Sequence, residues 1–318
     1  MGLSFHAPIR AAETPEYVVV KATAENPQPD VLPTLRFVQH VTHSPRPWVV
    51  WASFPNVPDF QCEAWCYEDA YELIDARPIL DGGRLELRHR VPDRPELLIV
   101  TVIKPEPGAV EVEARMALDT EHYPEAQMPE RPYSLNLCFQ LAHCPGFTCH
   151  PYPFPDFIKR CFIFTEKGRT FLLDTHRAKI PVRPSDDVCN TPPWVQSYVG
   201  VWQTIPEVHP DDPGGYSRDR YVTTVIGAVS RDGKYLAAIA NDSAPAMHQY
   251  WHCCFHNNPK WLPLDAPTAE RRWRVKIYAM ENDPDALLAR VGKDFPNAKH
   301  VRPVPSVPAD PDAVGNPE

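Results

Sequence analysis

Residues 220–261 read RYVTTVIGAVSRDGKYLAAIANDSAPAMHQYWHCCFHNNPKW, and this stretch decides the fold. Two apolar runs meet at Asp232-Gly233. An Asp-Gly pair between apolar runs signals a hairpin, because glycine supplies the positive φ that a tight turn demands. Behind the hairpin come His248, His252 and His256, with Cys253, Cys254, Tyr250, Trp251 and Trp261 among them. The rest of the chain reads as a scaffold that presents this segment and a second one, His143 to His150, rich in histidine and cysteine.

Working outward, the clearest sheet signal lies between Gly83 and Leu118. Leu85, Leu87, His89 and Val91 alternate with Glu86, Arg88 and Arg90, the period-two pattern of a half-buried strand. Leu97 to Ile103 is apolar throughout, which predicts a strand covered on both faces. After a turn at Pro105–Gly108, Val110, Val112, Ala114 and Met116 alternate with Glu111, Glu113 and Arg115. Three consecutive antiparallel strands account for this series. Further strands are expected over 17–22, 35–41, 48–54, 133–142, 160–165, 170–174, 196–204 and 272–280. Residues 62–74 suit a helix or a strand.

Proline sharpens the picture. It fills 39 of 318 positions, about 12% against an average near 5%. Because proline is expelled from helix interiors and central strands, this usage favours short strands joined by stiff loops. One helix stands out: Asp283 suits the cap, Pro284 the first helical position, and Ala286, Leu287, Leu288 and Val291 form an apolar face. The expected fold is all-β, a large antiparallel β-sandwich with a short C-terminal helix. An extended arm over 1–34 precedes a single sandwich domain over 35–298, and a proline-rich tail covers 299–318.

A net charge of −9 leaves no broad basic surface, so neither nucleic acid nor an acidic membrane is an expected partner. Nine cysteines, with Cys138 and Cys161 inside apolar runs, read as reduced buried thiols rather than a disulfide framework. The opening MGLSFHAPIR lacks an apolar signal core, and no apolar run is long enough to span a bilayer. A cytoplasmic location is the expectation. The sequence holds no G-x-G-x-x-G, no G-x-x-x-x-G-K-[ST], no G-x-S-x-G and no H-E-x-x-H, which argues against nucleotide-binding, α/β-hydrolase and zincin chemistry.

His248, His252 and His256 recur every four residues. On a helix neighbouring rings would stand about 6 Å apart in rise and two would reach one metal. On one strand they would be about 13 Å apart and would instead line a groove. Core histidines with satisfied hydrogen bonds are the competing reading. His143, Cys144, Cys149 and His150 flank a Pro-Gly-Phe turn but lack zinc-site spacing. A metal held by His143, Cys149 and His150 stays open beside a cofactor-free protein. Tyr198, Gly200 and Trp202 share one face of an expected strand, with Gln203 next in sequence. Two rings with a glycine gap suit the flat face of a sugar, and equally suit an ordinary core. Arg218 and Arg220 enter the hairpin, and a guanidinium fork matches a carboxylate; solvated strand-end charge is the alternative.

The series GRLELRHRV, ELLIVTVIKPEPGAVEVEARMAL, YSLNLCFQLAH, RYVTTVIGAVSRDGKYLAAIA and RRWRVKIYAM, followed by a short helix, resembles the galactose-mutarotase-like β-sandwiches of carbohydrate-active proteins. The resemblance spans roughly residues 35–295 and lies in the order of strands, with no matching catalytic motif. It implies a concave sheet face that binds a sugar or uronate. It further implies histidine with tyrosine or a carboxylate moving a proton, in lyase or epimerase chemistry. On that footing His252, His256 and Tyr198 are the expected acid/base groups. Trp202 and Trp261 are the stacking platform, and Arg220, His150 and Gln203 the polar contacts. A non-catalytic carbohydrate- or partner-binding sandwich and a His/Cys metal protein are the alternatives.

Overall fold

The computed structural model describes residues 17–23, 28–40, 48–58, 60–66, 72–79, 83–91, 94–125, 140–141, 146–147, 159–176, 196–205, 216–242, 246–250, 254–258 and 270–298. His143, Cys149, His150, His252 and Trp261 lie outside the described residues, as do residues 1–16 and 24–27 of the arm and the whole tail over 299–318.

The described chain is built of antiparallel strands in three sheets. The first holds β1 (Tyr17–Thr23), β2 (Thr34–His40), β3 (Trp48–Ser53) and β4 (Gln61–Cys66) in sequence order. The strand expected over 17–22 is β1, which pairs antiparallel with β2. The ambiguous 62–74 region resolves into β4 and the start of β5 (Glu72–Ile79), which belong to different sheets. Cys62 and Ala64 are buried two residues apart, the period of a strand.

The second sheet has nine strands. In addition to β5 it contains β6 (Arg84–Val91), β7 (Arg94–Glu106), β8 (Ala109–Leu118), β10 (Cys161–Thr165), β11 (Gly168–Phe171), β13 (Val225–Val229), β14 (Tyr235–Asn241) and β17 (Arg271–Glu281). Their order is β11-β10-β13-β14-β17-β8-β7-β6-β5. The meander of β6, β7 and β8 is the three-strand series expected, and it turns at Gly108 with φ of 63°. The hairpin at Asp232-Gly233 joins β13 to β14, with Gly233 at φ of 74°.

The third sheet orders β12 (Gln196–Tyr198), β15 (Ala246–Tyr250), β16 (Cys254–Asn258) and β9 (Gln140–Leu141). One apolar cluster runs through all three sheets, with Phe37 and Val50 from the first, Leu87, Val112 and Ile239 from the second, and Tyr198 and Met247 from the third. The opposite face of the large sheet carries Phe162, Val225, Leu236 and Tyr278 against Leu287, Leu288 and Val291 of α1 (Pro284–Asp294). The strands β13 and β14 are consequently buried on both faces.

Continuous apolarity misled at one strand. Buried and half-buried residues alternate along β7, so only one of its faces enters the core. On the other face Val100 lies between Arg88 and Arg115, and Val102 between Glu86 and Glu113. The aliphatic stems of such charged neighbours shelter apolar side chains while their heads stay in water. No helix among the described residues is long and apolar enough to cross a membrane.

Candidate functional site

His248 and His256, eight residues apart, come together in a way that neither a single helix nor a single strand supplies. β15 and β16 pair antiparallel, and His248 lies directly opposite His256. Directly opposed residues share a face of the sheet with Cβ atoms about 4.5–5.5 Å apart. On the other side of β15, His248 pairs with Ser197 of β12. Ser197, His248 and His256 thus form one row across three strands. His256 also pairs in register with Gln140 of β9.

The row runs from half-buried His248 to buried His256 and Ser197, at 5% and 2% exposure. Within the row, Ser197 Oγ and His248 Nδ1 share a hydrogen bond of 2.7 Å. This bond sets what the far nitrogen does. When Nδ1–H donates to the hydroxyl, Nε2 accepts a proton; in the other tautomer Nε2 carries one. The pairing fits a ring that alternates between base and acid.

The neighbouring residues of the same strands face the other way. Gln196, Tyr198, Met247, Gln249 and Asn257 are buried on the core side. There Asn257 Nδ2 donates to Thr224 O at 2.7 Å and to Ile239 O at 3.0 Å, while Asn241 Nδ2 donates to Asn257 Oδ1 at 2.7 Å. These amides fasten β16 to the large sheet and hold His256 in place.

Tyr198 does not join the histidines. Alternation puts it on the opposite face from Ser197, it is 0% exposed, and its hydroxyl shares a 2.7 Å hydrogen bond with Thr175 Oγ1. Nor do Tyr198 and Trp202 form a ring pair on one strand. The strand ends at Tyr198, and a turn with Gln203 N donating to Gly200 O at 2.9 Å reverses the chain. The indole of Trp202 folds onto Gly200, where a Cβ would stand 2.4 Å from Cε2. Glycine is required there by that close approach. Trp202 then meets Tyr221 edge-on, with centroids 5.3 Å apart.

Gln203, Arg220 and Trp202 do come together, as a knot that closes this loop. Gln203 Oε1 accepts from Gly200 N at 2.7 Å and from the Tyr221 hydroxyl at 3.2 Å. Burial pushes the Tyr221 phenol far up, so it stays protonated and donates. Arg220 Nη1 donates to Val201 O and Gln203 O, at 3.4 and 3.1 Å. Its guanidinium lines an open cleft between this loop and the Glu166-Lys167 turn. Of the expected site residues, then, His256 lies in the row, Tyr198 in the core, and Trp202, Gln203 and Arg220 around the loop. His248 and Ser197 complete the row, and register across β12, β15 and β16 is what reveals them. Among the described residues no group of three histidine, cysteine or acidic side chains is placed to hold a metal ion.

No family model and no curated protein matches the chain. Among solved structures it is similar to the Slr1438 protein of Synechocystis sp. PCC 6803, at 12% identity and a TM-score of 0.40, covering 88% of this chain and 99% of that one. It is also similar to a protein of Escherichia coli K12 named "Putative aldose 1-epimerase", at 10% identity and a TM-score of 0.34, covering 76% of this chain and 80% of that one.

Proposed function

We propose that the chain is a carbohydrate-active protein that binds a sugar or uronate at the Ser197–His248–His256 row and moves a proton on it, in lyase or epimerase fashion. The observation that carries the reading is the meeting of two histidines in direct register, one of them hydrogen-bonded to a serine at 2.7 Å. Imidazole titrates near neutrality, so a neighbouring pair can divide into one neutral base and one charged acid. His248, the more accessible ring, meets the substrate proton; His256, deeper in the row, supplies or receives its counterpart.

The test follows sugar carbon-bound hydrogens by proton NMR in heavy water, over a panel of neutral aldoses and uronates. Exchange or inversion with the unaltered protein, and its loss by at least a hundredfold in His248→Ala/His256→Ala, is the expected result. Circular dichroism confirms that the double variant is folded. Exchange that survives both substitutions removes the assignment. Binding without exchange would leave a sugar-binding protein with no proton transfer.

A further inference from the structure

We propose that the cleft beside the Glu166-Lys167 turn is a second ligand site, which takes a small oxyanion of the carboxylate or phosphate type. The cleft encloses about 360 Å³ and is lined by Thr165, Glu166, Lys167, Arg218, Asp219 and Arg220 along with Val201. That volume lies at the lower end of the range for small-molecule sites and suits a ligand of about one sugar unit.

Charge is the first argument. The protein carries a net −9, and several cations along its sheets are paired: Arg77 and Arg88 with Glu86, Arg94 with Glu96, Arg115 with Glu113, Arg274 with Glu111. Lys167, Arg218 and Arg220 differ. Three cations face one cleft, and among the described residues none of the three has an ion pair. Glu166 and Asp219 also line the cleft, so three cations against two carboxylates leave it one net positive charge, and Asp219 Oδ2 accepts from the backbone N–H of His176 at 2.6 Å.

Preorganisation is the second. Arg220 is held from behind by the carbonyls of Val201 and Gln203, which use one terminal nitrogen and leave the other donors of the fork oriented. A guanidinium fixed before binding loses little side-chain freedom when a planar or tetrahedral oxyanion docks. Glu166 on the rim adds an acceptor, so an anion that also bears hydroxyl groups fits better than a bare one. The inference stands apart from the histidine row.

Inorganic phosphate and D-glucuronate, titrated calorimetrically at matched ionic strength, separate the two oxyanion sources. At least one is expected to bind the unaltered protein, more weakly as salt is raised. The exposed pair Lys167→Gln/Arg218→Gln, which leaves the Arg220 strap intact, should weaken that anion at least tenfold. His248→Ala/His256→Ala should bind it unchanged. Absence of binding by both anions, or equal affinity in Lys167→Gln/Arg218→Gln, overturns the proposal. Loss of anion binding in the histidine variant alone also overturns it, moving the anion to the row without touching the proton-transfer reading.

Discussion

His89 shows how much one buried side chain can govern. It sits in β6 between Leu73 and Ile99 in register, 1% exposed, and burial lowers its imidazole to about 3 from an ordinary 6.5. Between those two values the unfolded chain binds a proton that the folded chain refuses. Stability from this group is therefore complete above about pH 6.5 and falls as the pH drops towards 3, by about 1.4 kcal/mol per unit. Denaturant titrations at pH 7 and pH 5 should show the loss, and His89→Leu should flatten it; an unchanged slope in the variant would contradict this account. Gly200 is a steric counterpart. With a Cβ 2.4 Å from the Trp202 ring, Gly200→Ala must displace the indole, and a loss of roughly 1–3 kcal/mol is expected. A shifted tryptophan emission would accompany it, and a native spectrum with native stability would refute the packing. Residue type made His256, Trp202, Gln203 and Arg220 visible in the sequence as chemistry-bearing side chains. Their grouping was not visible. His248 and His256 meet through strand register, and Trp202 leaves Tyr198 because the chain turns at Gly200, and neither event has a local signature in apolar periodicity.

At the scale of elements, period-two alternation and turn glycines carried most of the strand assignments. They work because a strand with one wet face must alternate, and the β6–β8 meander and the β13–β14 hairpin do so or are bounded by glycine. The failure at β7 is equally physical, because charged neighbours hid an apolar outer face that composition alone reads as core. The helix was legible from its ends: Asp283 Oδ1 accepts from the backbone of Asp285 and Ala286, at 3.0 and 2.9 Å. What fastens it to the sheet was not. Lys276, buried in β17, reaches Glu106 at 2.7 Å, Asp294 at 3.0 Å and Glu111 at 3.6 Å. Burial raises the Glu106 carboxyl, but hydrogen bonds and attraction from Lys276 and Lys104 together outweigh that and hold it below its usual range. Lys276→Met removes the buried cation that joins three carboxylates, leaving Glu106 with Lys104, Glu111 with Arg274 and Asp294 with Arg290. A loss of about 2–3 kcal/mol is expected at neutral pH, below that of a fully stranded buried charge because the carboxylates keep their other partners. Asp283→Ala, which touches only the cap, should cost about 1 kcal/mol. Urea midpoints decide the matter, and equal losses in the two variants would mean that the ion cluster adds nothing beyond the cap.

The whole molecule depends on how three sheets are joined, and that lay beyond the sequence. Strand order across the nine-stranded sheet places β17 between β14 and β8, neighbours separated by long stretches of chain. No local pattern encodes such pairings; they arise because one apolar cluster threads all three sheets. Between the large sheet and the sheet of the histidine row, however, the junction includes polar groups with defined partners. Asn241 and Asn257 are both 0% exposed, and Asn257 alone satisfies Thr224 O, Ile239 O and the Asn241 amide. Such a network specifies one register, because any slip of β16 leaves several buried groups unbonded. Asn257→Leu would remove three side-chain hydrogen bonds at about 1 kcal/mol each, leaving Asn241 Nδ2 its bond to the Asn257 carbonyl at 3.1 Å, and Asn241→Leu would remove fewer. Since the two amides bond each other, the double variant should lose less stability than the sum of the singles, by at least about 0.5 kcal/mol. Equilibrium denaturation of the four proteins measures this difference directly. Strict additivity would mean that the sheets are held by apolar packing alone, and that the row beside Asn257 keeps its geometry without the amide lock.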